Sequence, residues 1–390
     1  MTTILISAGD LSGERHAAQL VRELRAKRPD LRFIGMGGSA MAEAGVELVV
    51  DSRELAVGGV FEALSSLGRL FRAWRQMLRC IRSSQPDLIV LVDSGGFNLP
   101  LARRARELCR AKILYYVAPQ VWAWREQRIR KLARRTNRIA VILPFEKEFY
   151  AARGVEVDFV GHPLLDGVAL RDSRSAAERR RAARTRIGIQ DGSKVLGLFP
   201  GSRRSEVDRH LGIQIESFRA LRCQRSELRA VIGLAPTLER ADFERRLASL
   251  TPELREAVYV VCGDSADALD ASDVALAKPG TVTLELLLRG CPMVVMGRVH
   301  PWTARIVRRS LRVEYLSMPN LLSGEEIVPE RIQKEARPDR IAAAIAPLFE
   351  GAERERQVAA LEVARKRLGA PGASHRAALI VEEMLGTDPA

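Results

Sequence analysis

Three absences narrow the classes of protein that this sequence can encode. No apolar run approaches the roughly 18 residues that a transmembrane helix needs, so none is expected. The start, MTTILISAGDLSGE, lacks a basic segment and reaches Asp10 and Glu14 early, which predicts a first β-strand and not a signal peptide. The five cysteines and five histidines are scattered, without CxxC, HxH or HxxxH spacing. We therefore expect reduced thiols, as in a cytosolic protein, and no metal site.

Aromatic residues are also scarce, at 5% of the chain, and neither RNP-like nor zinc-finger patterns occur. Both facts argue against a protein that reads nucleic acid. Positive charge, by contrast, is abundant, with a formal net charge of +14. Such an excess favours an acidic partner, and the classes that remain are an anionic membrane surface and phosphorylated substrates.

The arrangement of apolar segments predicts the fold class. Short runs such as TILISAG, RFIGMGG and DLIVLVD alternate with amphipathic helical stretches, and the pattern restarts with KVLGLFPGS, AVIGLAP and VYVVCG. Fully apolar strands separated by helices are typical of parallel sheets covered on both faces. The 390 residues therefore predict an α/β protein with two doubly wound, Rossmann-like domains that face each other across a cleft.

The predicted domain boundaries follow from an arginine-rich break near 166–190, which has no strand signal. We expect the first domain to span 1–168 and the second to span 187–351. Helices over about 352–386 are expected to return to the first domain. The break itself is interpreted as a solvated linker helix, with an electrostatic role at a membrane as the alternative.

Ligands bind beyond the carboxyl ends of parallel strands, so the loops that follow strands carry the candidate catalytic residues. The loop SAGDLSGERHAA places Asp10 and Glu14 at the start of a helix, where the alternative is an ordinary capped glycine turn. The loop DSGGFN places Asp93 at the end of a buried strand, and its alternative role is a helix N-cap. Gly95 and Gly96 would let a bulky substrate approach the backbone there.

The second domain carries two turns suited to a nucleotide diphosphate. In LFPGSRRSEVDRH, Arg203 at the helix start is placed to clamp a phosphate by a bidentate hydrogen bond. In ALAKPGTVTLELLLRG, a helix N-terminus and threonine hydroxyls suit phosphate, and Glu285 suits ribose hydroxyls. The candidate donor-binding residues are Gly201, Ser202, Arg203, Lys278, Gly280, Thr281, Thr283 and Glu285.

A basic amphipathic helix is predicted over 61–87. Arg69, Arg72 and Arg75 begin an arginine stripe that continues at three- and four-residue steps, while Phe71 and Trp74 supply apolar surface. Such a helix can lie in a membrane interface, where each arginine near anionic lipid contributes about 1 kcal/mol. A sheet-covering helix with a solvated basic face is the equal alternative.

A series of motifs over nearly the whole chain resembles one family. In order they are SAGDLSGE, GMGG, LAVGGVFEAL, YYVAPQVWAWREQRIRKL, LPFEKEFY, VGHPLLD, LFPGSRRSE, KPGTVTLE and YLSMPNLLSGEEIVPE. They resemble the lipid-A-disaccharide synthases, inverting glycosyltransferases of the two-domain GT-B class. The resemblance implies that UDP-2,3-diacylglucosamine donates its sugar to 2,3-diacylglucosamine 1-phosphate, which yields a β-1′,6 disaccharide and UDP. It also implies a metal-independent enzyme without a cofactor, in the cytoplasm and peripherally associated with the inner membrane of a Gram-negative cell.

The resemblance assigns further residues to the site. Asn320, together with Glu285, is expected to orient the donor, while His162 is as readily structural as functional. The expected acceptor and membrane residues are Glu62, Arg69, Arg72, Trp74, Arg75, Asn98, Trp122, Trp124 and Arg125. The sequence leaves a homodimer open.

One position departs from the family pattern. The family's D-x-P-D-F-N reads DSGGFN here, so Gly96 stands where the family carries its usual candidate for the general base. We therefore expect Asp93 to take the proton from the acceptor 6-hydroxyl, with Asp10 or Glu14 as substitutes. Three alternatives stay open: a UDP-N-acetylglucosamine epimerase on the same fold, a catalytically impaired membrane-bound paralogue that still binds UDP-sugar, and a cell-wall N-acetylglucosaminyltransferase.

Overall fold

The computed structural model describes the chain except residues 53–62, 125, 172–173, 191, 236–237, 239, 264, 301–303, 306–312 and 387–390; for 63–67, 124, 168–171 and 242 it describes the backbone alone. The chain forms two compact units. Unit 1 comprises Met1–Gly167 and Leu368–Ala390, and unit 2 comprises Val168–Arg367. Unit 1 is thus built from both ends of the chain.

Unit 1 contains a seven-stranded parallel sheet. Its strands are β1 (Thr3–Ala8), β2 (Arg32–Gly37), β3 (Val46–Asp51), β4 (Leu88–Val92), β5 (Lys112–Tyr116), β6 (Arg138–Val141) and β7 (Asp158–Phe159). They lie in the order β3-β2-β1-β4-β5-β6-β7. Every residue of β1 and β4 is buried, which explains why these central strands read as almost continuous apolar runs.

Helices follow most of these strands. They are α1 (Leu11–Lys27), α2 (Ser39–Glu43), α3 (Ala63–Ser84), α4 (Asn98–Leu108), α5 (Val121–Trp124), α6 (Ile129–Arg135), α7 (Pro144–Ala151) and α8 (Pro163–Arg171), with a 3-10 turn at Glu126–Arg128. The first helix begins where Asp10 caps it, because the Asp10 carboxylate accepts a hydrogen bond from the Gly13 N–H at 2.7 Å. Its buried face includes Leu20, Val21 and Leu24.

Unit 2 contains a six-stranded parallel sheet. Its strands are β8 (Val195–Phe199), β9 (Arg229–Leu234), β10 (Val258–Cys262), β11 (Val274–Ala277), β12 (Met293–Gly297) and β13 (Glu330–Ile332). Their order, β10-β9-β8-β11-β12-β13, repeats the order of the first six strands of unit 1. Each sheet therefore has a topological switch point, between β1 and β4 in unit 1 and between β8 and β11 in unit 2.

The helices of unit 2 surround that sheet. They are α9 (Ala176–Ile187), α10 (Arg204–Arg222), α11 (Arg240–Leu247), α12 (Pro252–Arg255), α13 (Ala266–Ala271), α14 (Thr281–Leu288), α15 (Met318–Ser323), α16 (Pro338–Ile345) and α17 (Ala352–Arg367), with 3-10 turns at Gln333–Glu335 and Ala346–Leu348. The expected solvated linker is wrong for α9. This helix packs on α13, and the buried Arg184 donates to the Ala271 carbonyl and pairs with Asp273 at 2.7 Å.

The C-terminal helices divide between the units. The last helix, α18 (Ala373–Gly386), packs on α1, and the Asp166 carboxylate accepts hydrogen bonds at its start from the N–H groups of Gly372, Ala373 and Ser374. The helices over about 352–386, which include α17, were expected to return to the first domain. Instead α17 packs within unit 2, where the Gln357 side chain accepts a hydrogen bond from the Met293 N–H at 2.7 Å.

The α/β class and the two doubly wound parallel sheets are confirmed. Within the described ranges, no helix combines the length and apolarity required to cross a bilayer. The same ranges hold no group of three or more His, Cys, Asp or Glu side chains arranged for a metal ion. All five cysteines are free thiols.

Candidate active site

In unit 1, two strand-end loops meet at the switch point between β1 and β4. The Ser94 hydroxyl donates to the Asp10 carboxylate at 3.0 Å and accepts from the Gly9 N–H at 3.1 Å. Asp10 also caps α1 through Gly13, so both of its carboxylate oxygens have a hydrogen-bond donor. The predicted acids Asp10 and Asp93 therefore lie in loops that are bonded to each other.

Asn98 and Tyr115 hold the backbone of this loop in place. The buried Asn98 amide donates to the carbonyls of Ser7, Val92 and Asp93, and its oxygen accepts from the Ser7 hydroxyl at 2.7 Å. The Tyr115 hydroxyl donates to the Asp93 carbonyl at 2.6 Å. Since these contacts occupy the Asn98 side chain, we assign it a positioning role and not a direct contact with the acceptor.

Asp93 and Ser94 both have positive φ angles, of 46° and 45°. Non-glycine residues adopt this left-handed conformation rarely, and such strain concentrates at functional sites. Here the surrounding hydrogen bonds to Asn98, Tyr115 and Asp10 maintain it. The conformation turns the chain sharply as it leaves the buried strand and precedes the helix that begins at Asn98.

The environment of Asp93 raises the pKa of its carboxyl to about 7. Burial is the larger cause because it disfavours the charged form, and the neighbouring negative charge of Asp10 adds to the effect. Glu14 differs, since its buried carboxylate accepts from the Ala40 N–H at 2.7 Å and serves the start of α2. A carboxyl whose pKa is about 7 matches a base that must exchange a proton near neutral pH.

The two glycines of this loop differ in what surrounds them. A Cβ at Gly95 would lie 2.7 Å from the Cβ of Pro119, so the close packing there requires glycine. A Cβ at Gly96 would meet no heavy atom of the described residues within 4 Å. None of the described side chains therefore fills the space at Gly96, the family's acidic position next to the Asp93 turn.

Another buried acid, Glu146, was not among the residues predicted from the sequence. Its carboxylate accepts from the Trp122 indole N–H at 3.0 Å and from the N–H groups of Leu143 and Ile142 at 2.9 and 3.2 Å. Burial raises its pKa to about 7. Trp122, predicted on the acceptor side, is buried and packs edge-on against Phe145, so it anchors the short helix α5.

Two buried histidines lie next to each other in unit 1. The rings of His16 and His162 meet edge to face with centroids 5.8 Å apart. Burial lowers the pKa of His16 to about 4 and lowers the pKa of His162. The His162 Nδ1 accepts from the Leu164 N–H at 3.2 Å, which fits a structural role. His16 was not singled out by the sequence.

The predicted basic helix forms over Ala63–Ser84 as α3. Arg72 and Arg75 are exposed and Arg69 is partly buried, while Trp74 packs edge-on against Phe97 beside the Asp93 loop. Phe71 is 61% exposed, and with Leu70 it is one of the few large apolar side chains among the described residues that face solvent. A depression of about 370 Å³ is lined by Gly68, Phe71, Arg72, Arg75, Gln76 and Arg79.

Three predicted acceptor or membrane residues cannot be placed in full. Glu62 and Arg125 lie outside the described residues, and for Trp124 the description extends to its backbone at the end of α5.

In unit 2, the turn after β8 is organised around Glu206. Its carboxylate accepts from the N–H groups of Ser202 and Arg203 at 3.0 and 3.3 Å and pairs with the Lys278 ammonium at 2.9 Å. Gly201 has φ +131° and lies so close that a Cβ would collide with this carboxylate. The structure thus brings Gly201, Ser202 and Arg203 together with Lys278 at the switch point.

The second turn, after β11, leads into α14. Gly280 has φ +147°, and the Thr283 hydroxyl donates to its carbonyl at 2.8 Å. Thr281 is exposed at the first position of α14, and Glu285 is partly buried one turn later. The Arg203 side chain is 73% exposed, more than that of Glu285, and it forms an ion pair with Glu206 at 3.4 Å. The predicted donor residues therefore surround one end of the sheet.

Asn320 lies near this end of the sheet, and its side chain is buried. Its buried amide donates to the Val328 carbonyl and to Glu330, and its oxygen accepts from the Val328 N–H. His210, which the sequence did not single out, bridges Pro200 and the backbone of Arg298. The Asn320 side chain is thus hydrogen-bonded within unit 2, and its expected role in orienting the donor stays a prediction.

Comparison with known proteins adds a family and relatives. The sequence model of the family described as Lipid-A-disaccharide synthetase matches residues 4–384. The lipid-A-disaccharide synthases of Geobacter metallireducens and Geobacter sulfurreducens are 42% and 41% identical to this chain, over 98% of it and 97% of each relative. A solved structure of UDP-GlcNAc 2-epimerase from Neisseria meningitidis, bound to UDP-GlcNAc, is 14% identical, with a TM-score of 0.66 over 99% of this chain and 100% of that one. At that identity the likeness establishes a shared fold alone.

Proposed function

The chain belongs to the lipid-A-disaccharide synthase family, and from that premise we propose how its two units divide the reaction. It is a glycosyltransferase of lipid A biosynthesis, which uses a UDP-sugar type of donor and a lipid acceptor. We propose UDP-2,3-diacylglucosamine as the donor and 2,3-diacylglucosamine 1-phosphate as the acceptor. The acceptor 6-hydroxyl oxygen attacks the anomeric carbon, the bond from that carbon to the diphosphate breaks, and a β-1′,6 disaccharide 1-phosphate and UDP result.

Asp93 is the proposed general base. The observation that carries this assignment is its carboxyl at the switch point of unit 1, with a pKa near 7 and open space at the neighbouring Gly96. A base of that pKa is substantially deprotonated at neutral pH and still accepts the hydroxyl proton as the new bond forms. Asp10 holds Ser94 and raises the pKa of Asp93, while Asn98 and Tyr115 fix the loop.

The donor diphosphate is proposed to bind in unit 2. Lys278, Arg203 and the backbone N–H groups of the two turns supply positive charge of the kind that binds phosphate. These groups would stabilise the negative charge that develops on the departing UDP. Glu285 is proposed to contact the ribose, with Gly201, Ser202, Gly280 and Thr281 forming the turns and Thr283 and Asn320 supporting them.

We further propose that α3 places the enzyme on an anionic membrane surface at the cytoplasmic side. The exposed Phe71 and Leu70 beside Arg72, Arg75 and Arg79 support this placement, because apolar and cationic groups together favour an interface. Both proposed substrates carry acyl chains, so an enzyme at the membrane surface meets them where they reside.

The test is a UDP-release assay with the acylated donor, with and without the acylated acceptor phosphate. Acceptor-dependent UDP release with formation of the disaccharide is the expected result. An arm with UDP-N-acetylglucosamine alone checks for epimerase activity, and turnover there would contradict the proposal. Nucleotide binding without disaccharide in any lipid or detergent would instead identify a catalytically impaired relative.

A further inference from the structure

The carboxylate of Glu206 sits where the donor site would hold a phosphate. It accepts from two consecutive backbone N–H groups, those of Ser202 and Arg203, and from the Lys278 ammonium. Successive N–H groups at the start of a long helix, together with a lysine, form the kind of set that proteins use to bind phosphate. In this structure an internal carboxylate occupies that set.

The side chains of the Glu206–Lys278 ion pair are mostly buried. Only 14% of the Glu206 side chain and 21% of the Lys278 side chain are exposed. Burial alone would raise the pKa of Glu206, but the Lys278 charge and the backbone N–H groups outweigh it, so the pKa lies below its ordinary value. Glu206 therefore carries a full negative charge at neutral pH, at the point that the donor diphosphate must approach.

We propose that Glu206 is an internal competitor of the donor diphosphate: it binds Lys278 and the Ser202 and Arg203 N–H groups in the free enzyme and yields them when the nucleotide binds. The inference rests on the donor site proposed above. Two anions cannot share one ammonium and two N–H groups without repulsion, so diphosphate binding must weaken the Glu206 contacts. The same competition assists release of UDP after transfer, because Glu206 reclaims Lys278.

The close approach of Glu206 to Gly201 places this competition at the turn after β8. Gly201 has no side chain to separate the backbone from the Glu206 carboxylate, and a Cβ there would collide with it. The turn thus holds the carboxylate close while leaving its N–H groups accessible to a ligand once Glu206 moves. The bond from the Arg203 N–H is the usual contact of a capping glutamate, whereas the ion pair with Lys278 is not needed for a helix cap.

The decisive variant is Glu206→Gln, which removes the negative charge and keeps an oxygen for the backbone N–H groups. We expect its dissociation constant for UDP, measured by titration calorimetry, to fall by roughly tenfold, and the UDP off-rate to fall with it. The effect should shrink as salt rises, because screening weakens the repulsion that was removed. Glu206→Ala removes the same charge and gives a second measurement should the glutamine variant fold poorly.

The matched control is Glu216→Gln on the same helix. Glu216 is 43% exposed and pairs with Arg219, so the substitution changes the net charge equally but leaves the turn intact. We expect its UDP affinity to stay within about twofold of the parent. Thermal unfolding of each variant separates a lost helix cap, which lowers Tm, from relief of competition, which tightens UDP binding.

The outcomes distinguish this inference from the donor site on which it rests. If the parent protein binds UDP and Glu206→Gln and Glu206→Ala bind it equally or more weakly, Glu206 is a helix cap alone and the competition is refuted. Binding of UDP by the variants and not by the parent supports the competition in its strongest form. If neither the parent nor the variants bind UDP, the donor site in unit 2 is itself wrong, and the inference fails with it.

Discussion

The two units share a strand order, but their surroundings shift the pKa values of Asp93 and Glu206 in opposite directions. In unit 1, Asp93 and Glu146 lie in surroundings that raise their pKa values to about 7. In unit 2, Lys278 pairs with Glu206 and the pKa of that carboxyl is lowered. The sheets are alike at their switch points, so the opposite pKa shifts arise from the loops. The difference agrees with the proposed proton transfer in unit 1 and the proposed diphosphate binding in unit 2.

The difference has a simple physical origin. Burial disfavours a charged carboxyl in both units, but only unit 2 places an ammonium 2.9 Å from it. In unit 1 the neighbour of Asp93 is another acid, Asp10, which adds to the effect of burial. The pKa of a carboxyl near a switch point is thus raised or lowered according to the residue that the adjacent loop supplies.

Replacing the unit 1 acid tests the comparison most severely. Asp93→Asn should lower kcat by about 10²–10⁴-fold, because the amide cannot accept the acceptor proton, while UDP affinity stays unchanged. Disaccharide formation and UDP titration provide the two measurements. Asp87→Asn, at the other end of β4, is the matched control, since Asp87 bonds the Thr3 N–H and lies away from the loop. Unchanged turnover in Asp93→Asn would remove this residue from the mechanism.

Replacing the unit 2 cation should give the converse result. Lys278→Met should weaken UDP binding by about 10–100-fold, because a charge-assisted hydrogen bond to phosphate is lost and Glu206 is left without its ammonium. Titration with UDP measures the change, and Lys194→Met, just before the opposite end of β8, serves as the control. Equal UDP affinity in parent and Lys278→Met would mean that unit 2 does not use this cation for the nucleotide.

The proposed membrane contact involves unit 1 alone, and this difference between the units can also be tested. Phe71→Ser should reduce binding to vesicles rich in anionic lipid by roughly tenfold, because an exposed aromatic side chain loses its place in the interface. Val363→Ser in α17 of unit 2 removes a comparably exposed apolar side chain, at 54%, and should change vesicle sedimentation little. Equal losses for both variants would contradict a membrane role specific to α3.

The pH dependence of the free energy of unfolding sharpens the comparison further. The folded pKa of Asp93 is raised from 3.8 to about 7, so its contribution to stability is present at low pH and is lost as pH rises through that window. Relative to the parent, the free energy of unfolding of Asp93→Asn should therefore rise by about 2.5 kcal/mol between pH 5 and 8.

Glu206 should behave in the opposite sense. Its folded pKa is lowered, so its contribution is present at neutral pH and is lost as pH falls below about 4.5. Glu206→Gln should therefore show no such gain between pH 5 and 8. Chemical unfolding at several pH values measures both differences, and equal slopes for the two variants would show that the acids of the two units do not differ.

Much of this arrangement was predictable because it depends on local patterns. Apolar runs followed by glycine turns located β4 and β8, and parallel strands bring their carboxyl ends to one edge, which placed Asp93 and Arg203 correctly at strand ends. The arginine stripe likewise predicted α3.

What the sequence could not supply were pairings between distant residues. Lys278 and Glu206 are 72 positions apart, and no spacing rule joins them. Trp122 and Glu146 belong to separate helices, although the capping position of Glu146 after Leu-Pro-Phe was a usable signal. Nor did the sequence show that the side-chain amides of Asn98 and Asn320, both predicted as site residues, are buried and hydrogen-bonded within the protein.

The hydrogen bonds from Gly372, Ala373 and Ser374 to Asp166 have a consequence for biosynthesis. During synthesis, unit 1 cannot be completed until α18 has been made, and α18 is encoded more than two hundred codons after Asp166, which caps it. By then every residue of unit 2 has already been synthesised. The middle of the protein is thus free to fold first, and a message that lacks the codons for residues 368–390 would yield a complete unit 2 attached to an incomplete unit 1.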